Sequence, residues 1–137
     1  MLRHTGITVN NEKKFLTLFK KLNFKVFKVS NECSNFMYKL HRIPKLKLIT
    51  YKLKSSNGGI IELLKFKNKV SNCKKKKIYT NGINHIALTL KNLDKEYDKL
   101  KKYVRFTNKP HINPEGTAKV AFAYGPENLI IEFVEEL

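Results

Sequence analysis

Apolar and polar residues alternate with period two along several short stretches of this chain, and recur with helical spacing along two longer ones. From Leu2 to Val9 (LRHTGITV), His4, Gly6 and Thr8 fall on one face while Thr5, Ile7 and Val9 fall on the other, which predicts a first strand. Asn10 or Asn11 can cap a helix over 12–22, with Glu12 in the first turn where the helix dipole favours an acid. Phe15, Leu18, Phe19 and Leu22 have the i, i+3, i+4, i+7 spacing of a buried stripe, and Asn23 ends the helix. Alternation predicts strands over 24–29, 46–53 and 60–66 (IIELLKF), the last two joined by a tight turn at 55–59 (SSNGG). The stretch 31–45, with Phe36, Met37, Tyr38 and Leu40 before the breaker Pro44, reads as a short helix, a loop over a cavity, or both.

After a polar, basic stretch over 67–80 the pattern restarts. Gly82 to Leu90 (GINHIALTL) alternates, with His85, Ala87 and Thr89 on one face. Asn92 can cap a helix over 93–103 whose buried stripe holds Leu93, Tyr97 and Leu100. A short strand over 104–107, a loop over 109–116 (KPHINPEG), a strand over 117–124 with Val120 and Phe122 on one face, a turn at 125–128 (GPEN) and a strand over 129–134 complete the chain. The order βαβββ thus occurs twice, which makes this an α+β protein: module 1 (1–67), a basic linker (68–80) and module 2 (81–137). The halves also align. HTGITVNNEKK from His4 lies over HIALTLKNLDK from His85 with one inserted residue, and IIELL from Ile60 lies over IIEFV from Ile130.

Composition adds bounds. With 137 residues, 42% of them apolar, the chain can form one domain or two small packed modules. It has no long apolar run for a membrane span, and no signal peptide is expected ahead of the first strand. Cys33 and Cys73 stand in unrelated polar surroundings, which suits a reduced, cytoplasmic protein rather than a disulfide framework. The net charge of +17 comes almost wholly from scattered lysine, since arginine occurs only at Arg3, Arg42 and Arg105. AT-rich codons produce such a profile as readily as a binding surface does. It reads as a solvated surface that can also steer anionic small molecules. No interleaved basic and aromatic platform is present, so no specific nucleic-acid binding is expected. The run 74–77 of four lysines is expected to be an exposed linker, because like charges repel.

The candidate chemistry lies in the repeat. His4 and His85 sit near the start of each module's first strand, and Glu62 and Glu132 sit in the middle of each module's last strand. A lone strand histidine is usually an ordinary core or edge residue, and a lone strand glutamate usually faces solvent. Four such residues at matched places carry more weight. A glutamate inside IIELL or IIEFV is expected to be buried and to need a cationic partner or a metal. Two imidazoles and two carboxylates suit a first-row divalent cation (Zn, Ni, Co, Mn or Fe) with positions left for water or substrate. His41 and His111 are expected in loops as ordinary exposed histidines, and Met37 and Tyr38 as core packing or a lid.

With LRHTGITV, IIELL, GINHIAL and the terminal GPENLIIEFVEEL, the chain resembles the vicinal oxygen chelate superfamily over nearly its whole length. That superfamily includes glyoxalase I, methylmalonyl-CoA epimerase, fosfomycin-resistance proteins and extradiol dioxygenases. The terminal run resembles the family's "DP-G-N-IELVE" ending, with Gly125 and Glu127 departing from the usual acid and glycine. GINHIAL resembles the epimerase branch at least as closely as glyoxalase I, and no stretch resembles those that hold glutathione. The resemblance implies curved sheets around one metal site, with ligands at His4, Glu62, His85 and Glu132. It further implies a metal-dependent lyase or isomerase that stabilises an enediolate or enolate of a small oxygen-rich substrate, with Glu132 as proton-moving base and Glu62 its partner. The alternative it implies is a small-molecule binding or resistance protein. A homodimer is the expected assembly.

Overall fold

The computed structural model describes residues 2–68, 71 and 74–137. The chain divides into two compact units, Met1–Asn72 and Cys73–Leu137. Each unit is a mixed sheet with helical cover. Among the described residues they hold two mixed sheets and three α-helices, the α+β class expected.

In the first unit the order is β1 (Thr5–Thr8), α1 (Glu12–Lys21), β2 (Lys25–Glu32), α2 (Ser34–His41), β3 (Leu48–Lys54) and β4 (Ile60–Phe66). The sheet order is β1-β4-β3-β2, with β1 parallel to β4 and the other pairs antiparallel. The Asn11 side chain accepts from the Lys14 N–H at 3.3 Å and so supplies a partner for one otherwise unpaired donor at the start of α1. Phe15, Leu18, Phe19 and Leu22 are all buried, as their spacing requires. They share the core with Leu53, Ile61 and Leu63, which point to the sheet face opposite Glu62. Burying each of these side chains contributes about 2 kcal/mol. The turn between β3 and β4 closes through Ser55 N–H to Gly59 C=O at 2.9 Å, with Gly58 at φ +92°. That backbone angle strains any residue with a Cβ.

The segment after β2 resolves into a helix. Met37 of α2 is buried with Leu46 and Leu48 and packs on Leu64 and Phe66. Leu64 and Phe66 lie on the same face of β4 as Glu62, so α2 covers one end of that face and leaves the Glu62 end free of it. Tyr38 on the same helix is exposed.

In the second unit the order is β5 (His85–Thr89), α3 (Leu93–Leu100), β6 (Arg105–Phe106), β7 (His111–Ile112), β8 (Ala118–Tyr124) and β9 (Ile130–Glu136). The sheet runs β5-β9-β8-β6, with β7 also pairing β8, and β5 is parallel to β9. Asn92 caps α3 by accepting from Lys95 N–H at 2.9 Å, and the Glu135 carboxylate accepts from Leu93 N–H at 2.9 Å. An anion at a helix N-terminus is stabilised there by the orphan donors and the dipole. Leu93 and Leu100 are buried, and the Tyr97 ring packs on Phe106, which in turn packs on the fully buried Phe133. Helix α3 therefore covers the β9 face that carries Ile131 and Phe133. Glu132 is on the other face.

Two sequence expectations change in detail. His41 ends α2 and His111 lies in β7, so neither sits in a loop. The stretch expected as linker falls partly on residues 69, 70, 72 and 73, which lie outside the described residues, as does the expectation for Cys73. The Cys33 thiol is free and exposed.

Candidate metal centre

Register places each glutamate beside its histidine. In the first unit β1 runs parallel to β4 with Gly6 opposite Glu62, two residues after His4. In the second, β5 runs parallel to β9 with Ala87 opposite Glu132, two residues after His85. Period two then puts each imidazole on the same sheet face as its carboxylate. The outcome is two equivalent pairs. His4 Nε2 lies 3.0 Å from Glu62 Oε2, and His85 Nε2 lies 3.2 Å from Glu132 Oε2. Gly6 is part of this fit, because a Cβ there would stand 3.2 Å from Leu64 Cδ1.

Both carboxylates are largely withdrawn from water, with side chains 13% and 23% exposed for Glu62 and Glu132. Each is served by its imidazole. Two donors about 2.1 Å from one cation stand about 3.0 Å apart at a right angle and about 3.4 Å apart at the tetrahedral angle. Both pairs have spacings in or near that range, so the donor chemistry fits a first-row divalent cation. A simple N–H to carboxylate hydrogen bond has the same spacing. Among the described residues, no group of three or more His, Cys, Asp or Glu side chains stands together to hold a metal ion.

The pairs differ in their third neighbour. Lys52, opposite Glu62 across β3 and β4, brings its Nζ to 3.4 Å from Glu62 Oε1. In the second unit the equivalent place opposite Glu132 is Phe122, whose ring meets the His85 ring edge-on with centroids 5.4 Å apart. Glu62 thus answers both an imidazole and an ammonium, whereas Glu132 has an imidazole and an aromatic wall. Sequence reasoning missed Lys52. The signal was available in the hairpin. A turn over 55–59 that pairs Lys54 with Ile60 also pairs Lys52 with Glu62.

A pocket of about 400 Å³ lies on the Glu132 face of the second unit. Phe122, Tyr124 and Ile130 form its floor and residues 77–79 form one wall. Phe122 and Ile130 are direct neighbours of the His85–Glu132 pair in register, which puts the pocket beside that pair.

The family model described as "Glyoxalase/Bleomycin resistance protein/Dioxygenase superfamily" matches residues 1–133. The chain belongs to this superfamily. No curated protein matches it in sequence. Among solved structures it is similar to a glyoxalase family protein from Bacillus cereus at a TM-score of 0.89 and 15% identity, over 99% of this chain and 93% of that one. It is also similar to glyoxalase I from Zea mays at a TM-score of 0.71 and 18% identity, over 97% of this chain but 43% of that one. A fosfomycin resistance protein from Listeria monocytogenes is similar at a TM-score of 0.65 and 15% identity, over 100% of this chain and 94% of that one. At such identities the likeness shows the fold of this superfamily member. Among the described residues no helix is long and apolar enough to cross a membrane.

Proposed function

We propose that this superfamily member is a metal-dependent lyase or isomerase, with His4, Glu62, His85 and Glu132 as the ligands of one divalent cation. The observation that carries the reading is the matched geometry of the two pairs, 3.0 Å and 3.2 Å, each on the helix-free end or face of its sheet. A bound cation would act as a Lewis acid toward an oxygen of the substrate.

The remaining chemistry falls to the chain itself. Glu132 is the base: its carboxylate takes a proton from the carbon next to a carbonyl and returns it to the same or the adjacent carbon. His85 Nε2 stands 3.2 Å from one oxygen of that carboxylate, a spacing at which the two can share a cation. Phe122 and Ile130 exclude water on one side, which strengthens every charge interaction there. Glu62 is the matching acid of the first unit, and Lys52 holds its second oxygen. The substrate class is a small, oxygen-rich anion, which the +17 charge attracts. The assembly is proposed to be a homodimer in the cytoplasm without specific nucleic-acid binding.

The test is solvent exchange. The parent should incorporate deuterium at the acidic carbon of 2-oxoaldehyde–thiol adducts or 2-methyl acyl thioesters, and Glu132→Gln should not. Equal exchange in the variant moves the base elsewhere, with Glu62 the next residue to replace. A second reading, a binding protein without turnover, is favoured by Lys52. Its ammonium satisfies Glu62 without any cation. Tight binding of a screened compound with no exchange in the parent would select that reading.

A further inference from the structure

We infer that the pocket of the second unit is a subsite for an anion with a flat or branched apolar body, gripped by Arg105, Lys75 and Lys77. The inference rests on reading the Glu132 face as the substrate face, and it does not require the metal. Three observations lead to it.

The first is an excess of cations with no acid to answer them. Arg105 pairs with Tyr124 in register, and its guanidinium Cζ lies 4.7 Å from the Tyr124 ring centroid. Lys75 Nζ lies 4.9 Å from the same centroid, and Lys77 Nζ lies 5.4 Å from that of Tyr79. None of these three forms an ion pair with a carboxylate among the described residues. Elsewhere in the same unit Lys99 pairs with Glu96, Lys101 with Asp98, and Lys119 with Asp94 and Glu135, while Lys91, Lys95, Lys102 and Lys109 form no ion pair among the described residues. A ring face is a weak substitute for a carboxylate. Lys77 lines the pocket, and Arg105 and Lys75 stand at the Tyr124 ring that lines it, within reach of an anion that arrives with the ligand.

The second is that Asn108 and Thr107, which line the pocket, are already engaged. Asn108 Oδ1 accepts from Phe122 N–H at 2.9 Å, and its Nδ2 donates to Lys109 C=O at 2.7 Å. Thr107 Oγ1 donates to Phe122 C=O at 3.1 Å. The rest of the lining is Lys77, Ile78, Tyr79, Phe122, Ala123, Tyr124 and Ile130, largely apolar and aromatic. Such walls suit an apolar body rather than a polyhydroxylated one. A volume of 400 Å³ is that of about 13 waters.

The third is that the wall expected to be an exposed linker is fixed in place. Lys77 C=O accepts from Thr80 N–H at 2.9 Å and from Asn84 Nδ2 at 3.0 Å, Lys76 Nζ donates to Ile83 C=O at 3.1 Å, and Lys77 N–H donates to Thr80 Oγ1 at 3.0 Å. Tyr124 Oη donates to Lys76 C=O at 3.4 Å, tying this strap to the floor of the pocket. The lysine run therefore supplies charge at a defined site.

The experiment is isothermal titration with 2-naphthoate and with neutral 2-naphthylmethanol, on the full chain in excess chelator. The carboxylate should bind at least about fivefold tighter than the alcohol. Arg105→Gln should bring the two toward parity. Thr107→Trp, a substitution at an exposed position on the pocket rim, should block both, and Thr107→Val, which loses the same hydroxyl bond to Phe122 C=O without filling the space, should block neither. Equal affinity of the two probes, no binding of either, or carboxylate binding that survives Thr107→Trp would overturn the proposal. Cation loading is measured separately. Naphthoate binding without loading sinks the metal reading alone, and loading without naphthoate binding sinks this one alone.

Discussion

Lys52 offers a sharp test of the role of Glu62, because its ammonium lies 3.4 Å from the second oxygen of the carboxylate that a cation would need. Lys52→Met removes the charge and keeps an unbranched apolar stem of similar reach. At the observed 3.4 Å, the attraction between unit charges is about 1.2 kcal/mol at the dielectric of water and about 4.9 kcal/mol at an effective dielectric of 20. The two side chains are 24% and 13% exposed, so the pair is neither a surface contact nor a core one. The lysine can also swing into solvent at little cost. A net competition of about 1.4 kcal/mol follows, which is tenfold in affinity. Competition titration of zinc or nickel against a chromogenic chelator should therefore show Lys52→Met binding about tenfold tighter than the parent, with the difference shrinking in high salt. Unchanged or weaker binding would refute the claim that Glu62 is a ligand shared between Lys52 and the cation.

Other outcomes follow from the packing. Phe133→Ala empties a fully buried site beside Phe106 and should cost about 3–5 kcal/mol, a fall of at least about 10 °C in thermal melting; Phe27→Ala, at an exposed position, should move the transition little. The Glu12 carboxyl is held below the usual carboxylate range, first by its own backbone N–H and further by Lys65. A depressed folded value means the stabilisation is present above the ordinary value of about 4.3 and is lost as pH falls through the depressed one. Glu12→Gln should therefore melt below the parent at pH 6 and converge with it as pH falls through the depressed value. Convergence at neutral pH would show that this contact contributes nothing.

Sequence periodicity located the strands that carry the candidate residues because each combines alternation with a boundary signal. IIELLKF follows SSNGG and forms β4 at the expected limits of 60–66. The His–Glu partnerships were legible only through the repeat, since neither residue type alone on a strand marks a site. Helix α2 was ambiguous because its exposed Phe36, Tyr38 and Leu40 blur the helical stripe, and only Met37 faces the core. The strand β7 is two residues long and is held by β8, a tertiary partner that no local pattern reveals. Residues 74, 75 and 77–80 are exposed, as the charge run implied, but the Thr80 and Asn84 bonds that hold the backbone there are not visible to charge counting.

The most direct test of the central claim is the cation stoichiometry of chelator-stripped protein, measured by titration with elemental analysis on the parent and on one variant from each unit, His4→Ala and His85→Ala. If His4, Glu62, His85 and Glu132 hold one ion together, the parent takes about one equivalent of a first-row divalent cation per chain. Either substitution should then weaken it by at least about a hundredfold, because each removes one of four ligands. A parent that loads no cation, or a His85→Ala variant that loads as tightly as the parent, would contradict the account.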